Sequence, residues 1–221
     1  MSSSAAAPQF SYDEVPYDSF CYKNTHPDHL YVIGKIFGMT PPDFRKGRTL
    51  ELGCAAGGNL FPLALLYPEA EFVGVDLSAE EIAEANRHKA ELGLKNITFL
   101  QKDITETDKE FGIFDYIICH GVFSWVPDIV REKILELCRN NLSPQGIAMI
   151  SYNAYPGWHF VGAVRGMMKY HAQAFKTPAE KIMQSRALLT FLSDNMTKDQ
   201  KLLKSFIDTE RDTLSKVNDT Y

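Results

Sequence analysis

Short apolar runs alternate with amphipathic stretches along the middle of this sequence. Five runs have the length of buried strands, and they are Thr49–Leu52, Phe72–Val75, Ile97–Gln101, Tyr116–Cys119 and Ile147–Tyr152. Between them, apolar residues recur at helical spacing near residues 58–66, 79–92 and 127–142. This alternation is typical of βαβ units. We therefore predict an α/β fold with a Rossmann-like, mainly parallel sheet and helices on both faces.

The flanks of this region have different patterns. At the N-terminal side, small polar residues predict a disordered tail, and an irregular aromatic segment then precedes a helix that begins near Thr25. At the C-terminal side, the apolar residues recur at helical spacing only. The late helices are predicted over residues 159–175, 179–195 and 198–217. We expect four regions: a tail (1–9), an N-terminal arm and helix (10–44), a core (45–158) and an all-helical C-terminal extension or insertion (159–221).

Charge and cysteine content exclude several classes of function. The net charge is −5, from 23 basic and 28 acidic residues, and we see no run of Lys and Arg, so we expect no nucleic-acid partner. The four cysteines are scattered without a C-x-x-C pair, which predicts reduced thiols and no metal site. We find no secretory signal and no apolar run that could cross a bilayer, so we expect a cytoplasmic protein without a membrane partner.

A loop of small residues follows the first predicted strand. In the segment Thr49-Leu-Glu-Leu-Gly-Cys-Ala-Ala-Gly-Gly-Asn59, an apolar strand leads into this loop and then into a helix. Glycines at such a turn adopt backbone angles that a side chain forbids, and they let a ligand approach the backbone. The loop also partly fits a dinucleotide fingerprint, with Gly53, Ala55 and Gly58 at the three glycine positions.

Three carboxylates stand at three successive predicted strands. Glu51 lies two residues before Gly53, and Asp103 ends the third strand. Asp76 ends the second strand about 20 residues beyond the loop, which is the spacing expected of a carboxylate that binds ribose hydroxyls. Each has a structural alternative. Glu51 could be the buried partner of a helix N-terminus, Asp76 could cap the helix that starts at Ala79, and Asp103 could be an ordinary turn residue.

These residues resemble the motifs of class I S-adenosylmethionine-dependent methyltransferases. The likeness is carried by Glu51-Leu-Gly-Cys-Ala-Ala-Gly57, Gly74-Val-Asp76, Gln101-Lys-Asp103 and Phe114-Asp-Tyr-Ile-Ile-Cys119. It implies S-adenosylmethionine as the cofactor, with Gly53 and Gly57 along its methionine part, Asp76 on the ribose, and Asp103 with Ile104 at the adenine. Ala55 departs from the family, which usually has a glycine there. The candidate cofactor-binding residues are Glu51, Gly53, Cys54, Ala55, Gly57, Asn59, Asp76, Leu77, Asp103, Ile104 and His120.

A narrower resemblance extends over more of the chain. Tyr12-Asp-Glu-Val-Pro-Tyr17, Thr25-His-Pro-Asp28, His120-Gly-Val-Phe-Ser-Trp-Val126 and Ser151-Tyr-Asn-Ala-Tyr-Pro-Gly-Trp-His159 are similar to bacterial methyltransferases with a methyltransferase regulatory domain. That group includes the rickettsial outer-membrane-protein lysine methyltransferases. Its members are usually longer, so we expect this chain to be an amino-terminal piece. The resemblance implies a protein lysine as acceptor, although a small-molecule acceptor fits the same scaffold.

The acceptor side is expected in the loops after the fourth and fifth strands. His120 and Tyr152 are the candidate catalytic residues, because aromatic rings interleaved with His and Asn cage a cationic centre and accept its proton. The alternative is that the aromatic residues of these loops, Phe123, Trp125 and Trp158, belong to the core. Tyr12 and Tyr17 of the N-terminal arm form either a lid over the site or a mobile arm.

Methyltransferases of this class usually have two further strands, which we do not find after Tyr152. We therefore expect an incomplete sheet whose exposed apolar edge pairs with a second copy, giving a homodimer. Helices over residues 159–217 would then cover the acceptor pocket. Two other functions remain open. They are an oxidoreductase with a nicotinamide cofactor on a similar sheet, and a noncatalytic module that binds S-adenosylmethionine.

Overall fold

The computed structural model describes residues 19–107 and 111–215, which fall into two compact units. The first unit comprises Ser19–Tyr152, and the described part of the second comprises residues 153–215. The first unit is built on a five-stranded sheet whose neighbouring strands are all parallel. Its strands are β1 (Arg48–Leu52), β2 (Glu71–Asp76), β3 (Ile97–Gln101), β4 (Phe114–Cys119) and β5 (Leu142–Ile150).

Helices pack against both faces of this sheet. They are α1 (Pro27–Ile36), α2 (Phe61–Leu66), α3 (Ala79–Glu91) and α4 (Asp128–Asn141). Strand side chains alternate between the faces, so Phe72 joins the core under α2 and α3, whereas Val73 joins the core under α4. On β1, Leu50 and Leu52 belong to the α4 side, which leaves Glu51 on the opposite face. The predicted Rossmann-like α/β fold is confirmed.

The strand order places the chain reversal between β1 and β4. The order across the sheet is β3-β2-β1-β4-β5, so the chain builds outward from β1 in one direction and then returns to β4 on its other side. Ligands of open α/β sheets bind at the carboxyl ends of the strands at such a switch point. Glu51 is paired with Gly74 of β2 and with Ile118 of β4, so the residues that follow these three strands meet at one edge.

Within the first unit, β5 and α2 differ most from their predicted bounds. The predicted strand Ile147–Tyr152 is wrong at both ends, because β5 begins at Leu142 and ends at Ile150. The first half of β5 is not predictable from the apolar pattern, because Pro144 and Gly146 interrupt the alternation. In the structure, Gln145 has a positive φ of 65° and the pairing with β4 is irregular there. The helix predicted near 58–66 begins only at Phe61, since Gly57 has φ 81° and still belongs to the turn.

The described part of the second unit is all-helical. It consists of α5 (Trp158–Ala172), α6 (Pro178–Asn195) and α7 (Lys201–Leu214), which follow the predicted helices with shifted ends. A capping box of Thr177 and Glu180 fixes the start of α6. The unit has its own core, which is formed around Val164, Met168, Leu189 and Ile207.

β3 and β5 are the edge strands of the sheet, and the described residues contain no strand after β5. Pairing of the β5 edge with a second copy stays a prediction. Over the residues that the model describes, no helix is long and apolar enough to cross a membrane. Within the same residues, no cluster of three or more His, Cys, Asp or Glu side chains is arranged to hold a metal ion.

Candidate active site

The loop after β1 turns sharply and is tied to the end of β2. Gly53, Ala55 and Gly57 all have positive φ angles, of 75°, 44° and 81°. The backbone N–H groups of Gly53 and Cys54 both donate to the carbonyl oxygen of Val75, at 2.8 and 3.1 Å. These two bonds hold the first part of the turn against β2. The turn therefore lies at the carboxyl edge of the sheet, as the glycine pattern predicts.

Two glycines of this turn have no room for a side chain. A Cβ at Gly53 would overlap Cγ2 of Val122, which follows β4. A Cβ at Gly57 would lie 2.6 Å from Cε1 of Phe99 on β3 and would also overlap the tip of that ring. Ala55 keeps its methyl group at a φ of 44°, where an L-residue is strained. The small residues thus permit close packing as well as an unusual backbone path.

Asp76 binds the glycine turn directly. Its Oδ2 accepts a hydrogen bond from the backbone N–H of Ala55 at 2.8 Å, and its Oδ1 accepts one from Ser78 N–H at 3.0 Å. The helix cap is Ser78 rather than Asp76, because the Ser78 hydroxyl accepts from Glu81 N–H. The carboxylate is half-buried, and each of its oxygens has a further lone pair for a ligand hydroxyl. Leu77 beside it is 53% exposed and forms an open apolar surface.

Glu51 is a buried carboxyl group with one oxygen unpartnered. Its side chain is 4% exposed, and Oε1 accepts a hydrogen bond from Asn59 Nδ2 at 2.7 Å. Oε2 has no hydrogen-bond partner among the described residues. A buried oxygen without a partner costs free energy, and an ionised one costs more. The partner of Glu51 is thus a side-chain amide of the loop, not a helix N-terminus.

The surroundings of Glu51 favour its neutral form. Burial raises the pKa of Glu51 to about 8, the hydrogen bond from Asn59 opposes this shift, and the charge of Asp76 adds to it. The burial and the nearby carboxylates also raise the pKa of the Cys54 thiol, which is packed under the turn. A ligand that brings a positive charge to Oε2 would stabilise the ionised carboxylate.

Asp103 and Ile104 lie at the end of β3. Oδ1 of Asp103 accepts from both the backbone N–H and the hydroxyl of Thr105, each at 2.8 Å, and so caps a short 3-10 turn. This is the turn role that the sequence left open. Ile104 packs against the core on the α4 side. Both residues follow the strand next to β2, on the same sheet edge as Asp76.

His120 follows β4 directly, at the carboxyl edge of the sheet. Its Nδ1 is buried and has no hydrogen-bond partner among the described residues. Burial lowers the pKa of His120 below its ordinary value, which favours the neutral imidazole. Gly121 N–H donates to the Ser151 hydroxyl at 3.0 Å, which ties this loop to the end of β5. Tyr152 is 67% exposed, and its ring centroid lies 6.4 Å from that of Phe123.

A segment that the sequence pattern does not assign to the site crosses this edge. Gly58 N–H donates to the Ser19 hydroxyl at 2.7 Å, Tyr22 N–H donates to Asn59 Oδ1 at 2.9 Å, and Thr25 is hydrogen-bonded to the Asn59 amide. The Tyr22 ring lies on His120, with centroids 4.3 Å apart. The polar Asn59 at the end of a loop of small residues and the Thr25-His-Pro-Asp28 motif are signals in the sequence, but neither indicates that Thr25 and Asn59 are partners.

Two groups of predicted residues do not belong to the described part of the first unit. The lid candidates Tyr12 and Tyr17 lie outside the described residues. Residues from Asn153 onward belong to the second unit, where the rings of Tyr155 and His159 contact each other with centroids 4.4 Å apart. The site described above is therefore formed by residues of the first unit alone.

Comparison with known proteins gives consistent matches. The family model described as a methyltransferase domain matches residues 43–210. An uncharacterized protein of Rickettsia prowazekii is 51% identical over 210 residues, which are 95% of this chain and 38% of that protein. A second uncharacterized protein of the same organism is 39% identical over 213 residues, which cover 96% of this chain and 85% of that protein.

The structure of PKMT2 from Rickettsia typhi in complex with AdoHcy is similar to this fold. The match has a TM-score of 0.79 and 37% sequence identity, and it covers 90% of this chain and 38% of PKMT2. The chain thus spans a little over a third of the length of PKMT2 and of the first Rickettsia prowazekii relative. The predicted resemblance to class I S-adenosylmethionine-dependent methyltransferases is confirmed. The chain belongs to the methyltransferase domain family with the class I, S-adenosylmethionine-dependent fold.

Proposed function

We propose that this chain binds S-adenosylmethionine at the edge of the sheet between β1 and β4 and transfers its methyl group to a nucleophilic acceptor. The observation that carries the proposal is the buried, unpartnered Oε2 of Glu51 beside a strained turn of small residues. The cofactor has a positively charged sulfonium and an ammonium group. An unpaired acidic oxygen that ionises when a cation approaches is the group that such a ligand satisfies, whereas the phosphates of a nicotinamide cofactor bring no positive charge to it.

The residues at the edge fit the parts of this cofactor. Asp76 accepts hydrogen bonds from ribose hydroxyls with the lone pairs that Ala55 and Ser78 leave available. The methionine part lies along the turn at Gly53 and Gly57, and Glu51 supplies a negative charge once the cation of the cofactor is bound. Cys54, Ala55 and Asn59 hold the turn, and Leu77, Asp103 and Ile104 line the adenine end. The cofactor, when bound, supplies an activated methyl group.

The acceptor side must supply a neutral nucleophile. Deprotonating a lysine ammonium with the reference pKa of about 10.4 costs roughly 4–5 kcal/mol at neutral pH. The lowered pKa of His120 leaves its imidazole neutral, so that it accepts the proton of the incoming nucleophile. Tyr152 and Phe123, which follow β5 and β4, form an aromatic surface that attracts a cationic acceptor before it loses its proton. The protein itself forms no covalent intermediate in this displacement.

A protein lysine is the acceptor that we propose. The support is the resemblance to the rickettsial outer-membrane-protein lysine methyltransferases and the similarity of this chain to PKMT2 over 90% of its length. We also propose a cytoplasmic location, since the four cysteines are all free thiols. The acidic net charge disfavours a nucleic-acid acceptor.

The test is transfer of tritium from methyl-labelled S-adenosylmethionine to proteins of a bacterial membrane extract. A matched half of the extract is acetylated to block its lysine side chains. We expect label in untreated proteins, its loss after acetylation, and methyllysine in the acid hydrolysate. Label that survives acetylation would contradict the lysine acceptor while leaving the methyltransferase. Binding of the cofactor without transfer to any protein or small molecule would favour a noncatalytic module.

A further inference from the structure

Residues 19–25 cross the sheet edge at the carboxyl ends of β1 and β4, and we call them the N-terminal strap. Three residues of the strap are hydrogen-bonded to the loop after β1. Its first residue accepts from Gly58 N–H, Tyr22 N–H donates to Asn59, and its last residue, Thr25, accepts from the Asn59 amide at 2.9 Å. Thr25 and Asn59 are both almost fully buried. Attachment at both ends and near the middle fixes which strap residue faces His120.

Asn59 links the strap to the buried acid of the site. The same Nδ2 group that bonds the Thr25 hydroxyl also donates to Glu51 Oε1 at 2.7 Å, while Oδ1 accepts from Tyr22 N–H. Every polar atom of this amide is therefore engaged inside the first unit. Because buried amides with all bonds made are rigid, the strap is held in one position relative to β1.

The ring of Tyr22 is the part of the strap that contacts the fourth strand's loop. Its centroid lies 4.3 Å from that of the His120 imidazole, and the planes are inclined at 59°. The residue is 39% exposed, so the ring that contacts His120 is only partly covered by the protein. Since Nδ1 of His120 has no hydrogen-bond partner among the described residues, packing rather than hydrogen bonding at that nitrogen orients the imidazole.

We propose that Tyr22 is a positioning residue, whose aromatic ring holds the His120 imidazole in the orientation and in the dry environment that proton acceptance requires. The catalytic part of this inference rests on the proposed function, and the contact itself does not. The ring excludes water from one face of the imidazole, which accords with burial as the cause of the lowered pKa of His120. The phenol hydroxyl is not needed for this role.

The experiment compares wild-type protein with Tyr22→Phe, Tyr22→Leu and Phe37→Ala. Phe37 is an 81% exposed aromatic residue at the end of α1 and serves as the control for loss of a surface ring. The imidazole resonances of His120 are followed by NMR through a pH titration, and His120→Asn identifies them among the six histidines. Methyl transfer is measured over the same pH range.

We expect Tyr22→Leu to remove the ring-current shift of His120, to raise its pKa towards the ordinary value, and to lower kcat about tenfold with a matching shift of the pH profile. Tyr22→Phe and Phe37→Ala should behave as wild type. In all three variants, the dissociation constant for S-adenosylhomocysteine should change less than about threefold. An unchanged His120 titration in Tyr22→Leu would overturn the proposal, and so would a Tyr22→Phe variant as impaired as Tyr22→Leu.

Failure of the proposed function gives a different result. If wild-type protein binds no S-adenosylhomocysteine, the methyltransferase proposal falls, whereas the His120 titration still decides whether Tyr22 positions the imidazole. If wild-type protein binds and transfers methyl groups while Tyr22→Leu retains both its pH profile and its kcat, the positioning role alone is refuted. A Tyr22→Leu protein that does not fold is replaced by Tyr22→Met, which keeps apolar volume without a ring.

Discussion

At the residue scale, the site depends on acidic side chains that the fold does not fully satisfy. Glu51 is buried with one oxygen unpartnered, and Asp76 is shared between the glycine turn and its own strand end. Buried polar groups in native proteins are nearly always hydrogen-bonded, so an unpartnered one beside a binding edge is a candidate for satisfaction by a ligand. These two residues therefore connect the stability of the protein to its binding function.

The pH dependence of stability tests the state of Glu51. Its folded pKa of about 8 lies above the ordinary value of 4.5, so between these limits the unfolded chain loses a proton that the folded chain keeps. The contribution of Glu51 to the free energy of unfolding therefore falls as pH rises from about 4.5 to about 8, and then stays level.

We expect Glu51→Gln, which mimics the neutral acid, to remove this fall. Without cofactor, the variant should be more stable than wild type by about 1–4 kcal/mol above pH 8 and similar to it near pH 5. Urea unfolding at both pH values measures the difference. The matched control is Glu91→Gln on the exposed end of α3, which should show no such trend. A constant difference across the range would mean that Glu51 is ionised throughout.

Asp76 tests the ribose assignment. Asp76→Ala removes charge-assisted hydrogen bonds and should weaken binding of S-adenosylhomocysteine by about 1–3 kcal/mol, which is about fivefold or more in the dissociation constant. Calorimetric titration measures it. Because Asp76 also accepts from Ala55 N–H, the melting temperature is recorded in parallel to detect a loss of stability. Asp76→Asn keeps an acceptor oxygen, so its binding affinity should fall less than that of Asp76→Ala. An unchanged dissociation constant would refute the assignment.

The sequence predicts these carboxylates but not their partners. Glu51, Asp76 and Asp103 lie in or just after β1, β2 and β3, and the apolar runs of these three strands are readable from the sequence. The network of Asn59, Thr25 and Tyr22 joins residues that lie 34 and 37 positions apart. Nothing in local spacing encodes such pairs, since they form only when α1 and the sheet are packed together.

At the element scale, the glycine turn combines backbone strain with close packing. Gly57→Ala meets both costs, because its φ is 81° and a Cβ would lie 2.6 Å from Phe99. Gly93→Ala is the matched control, since Gly93 has φ 64° and nothing within 4 Å of an added Cβ. We expect a loss of about 1 kcal/mol in the control and about 2–4 kcal/mol in Gly57→Ala.

Chemical denaturation of both variants measures these losses. Binding of S-adenosylhomocysteine should be lost or greatly weakened only in Gly57→Ala, because only that glycine belongs to the turn beside Glu51. Equal losses of stability in Gly57→Ala and Gly93→Ala would show that the backbone angle alone causes the loss. The Phe99 ring would then move aside without a measurable free-energy change.

Element types were predictable where periodicity is strong, and element ends were less so. The four regular strands follow clean apolar runs, whereas the start of β5 is hidden by Pro144, Gly146 and the positive φ of Gln145. The predicted start of α2 is too early, because the small residues before Phe61 are compatible with a helix. In the structure, the positive φ of Gly57 places that residue in the turn. Backbone geometry of this kind depends on neighbours in space.

At the scale of the whole molecule, each of the two compact units has a core of its own. Leu189 is fully buried in the core of the helical unit, so Leu189→Ala should cost that unit about 2–5 kcal/mol. Hydrogen exchange measures this loss in the amides of α5–α7, with the amides of β1–β4 as the internal reference. Equal loss of protection in helices and strands would contradict separate cores.

The central claim is that the edge between β1 and β4 binds an adenosyl sulfonium compound. The most direct test is calorimetric titration of the wild-type chain with S-adenosylmethionine and with S-adenosylhomocysteine, alongside NAD as the competing cofactor. We predict saturable binding of one molecule of either adenosyl compound per chain and no binding of NAD. Saturable binding of NAD, or an absence of heat with both adenosyl compounds, would contradict the account.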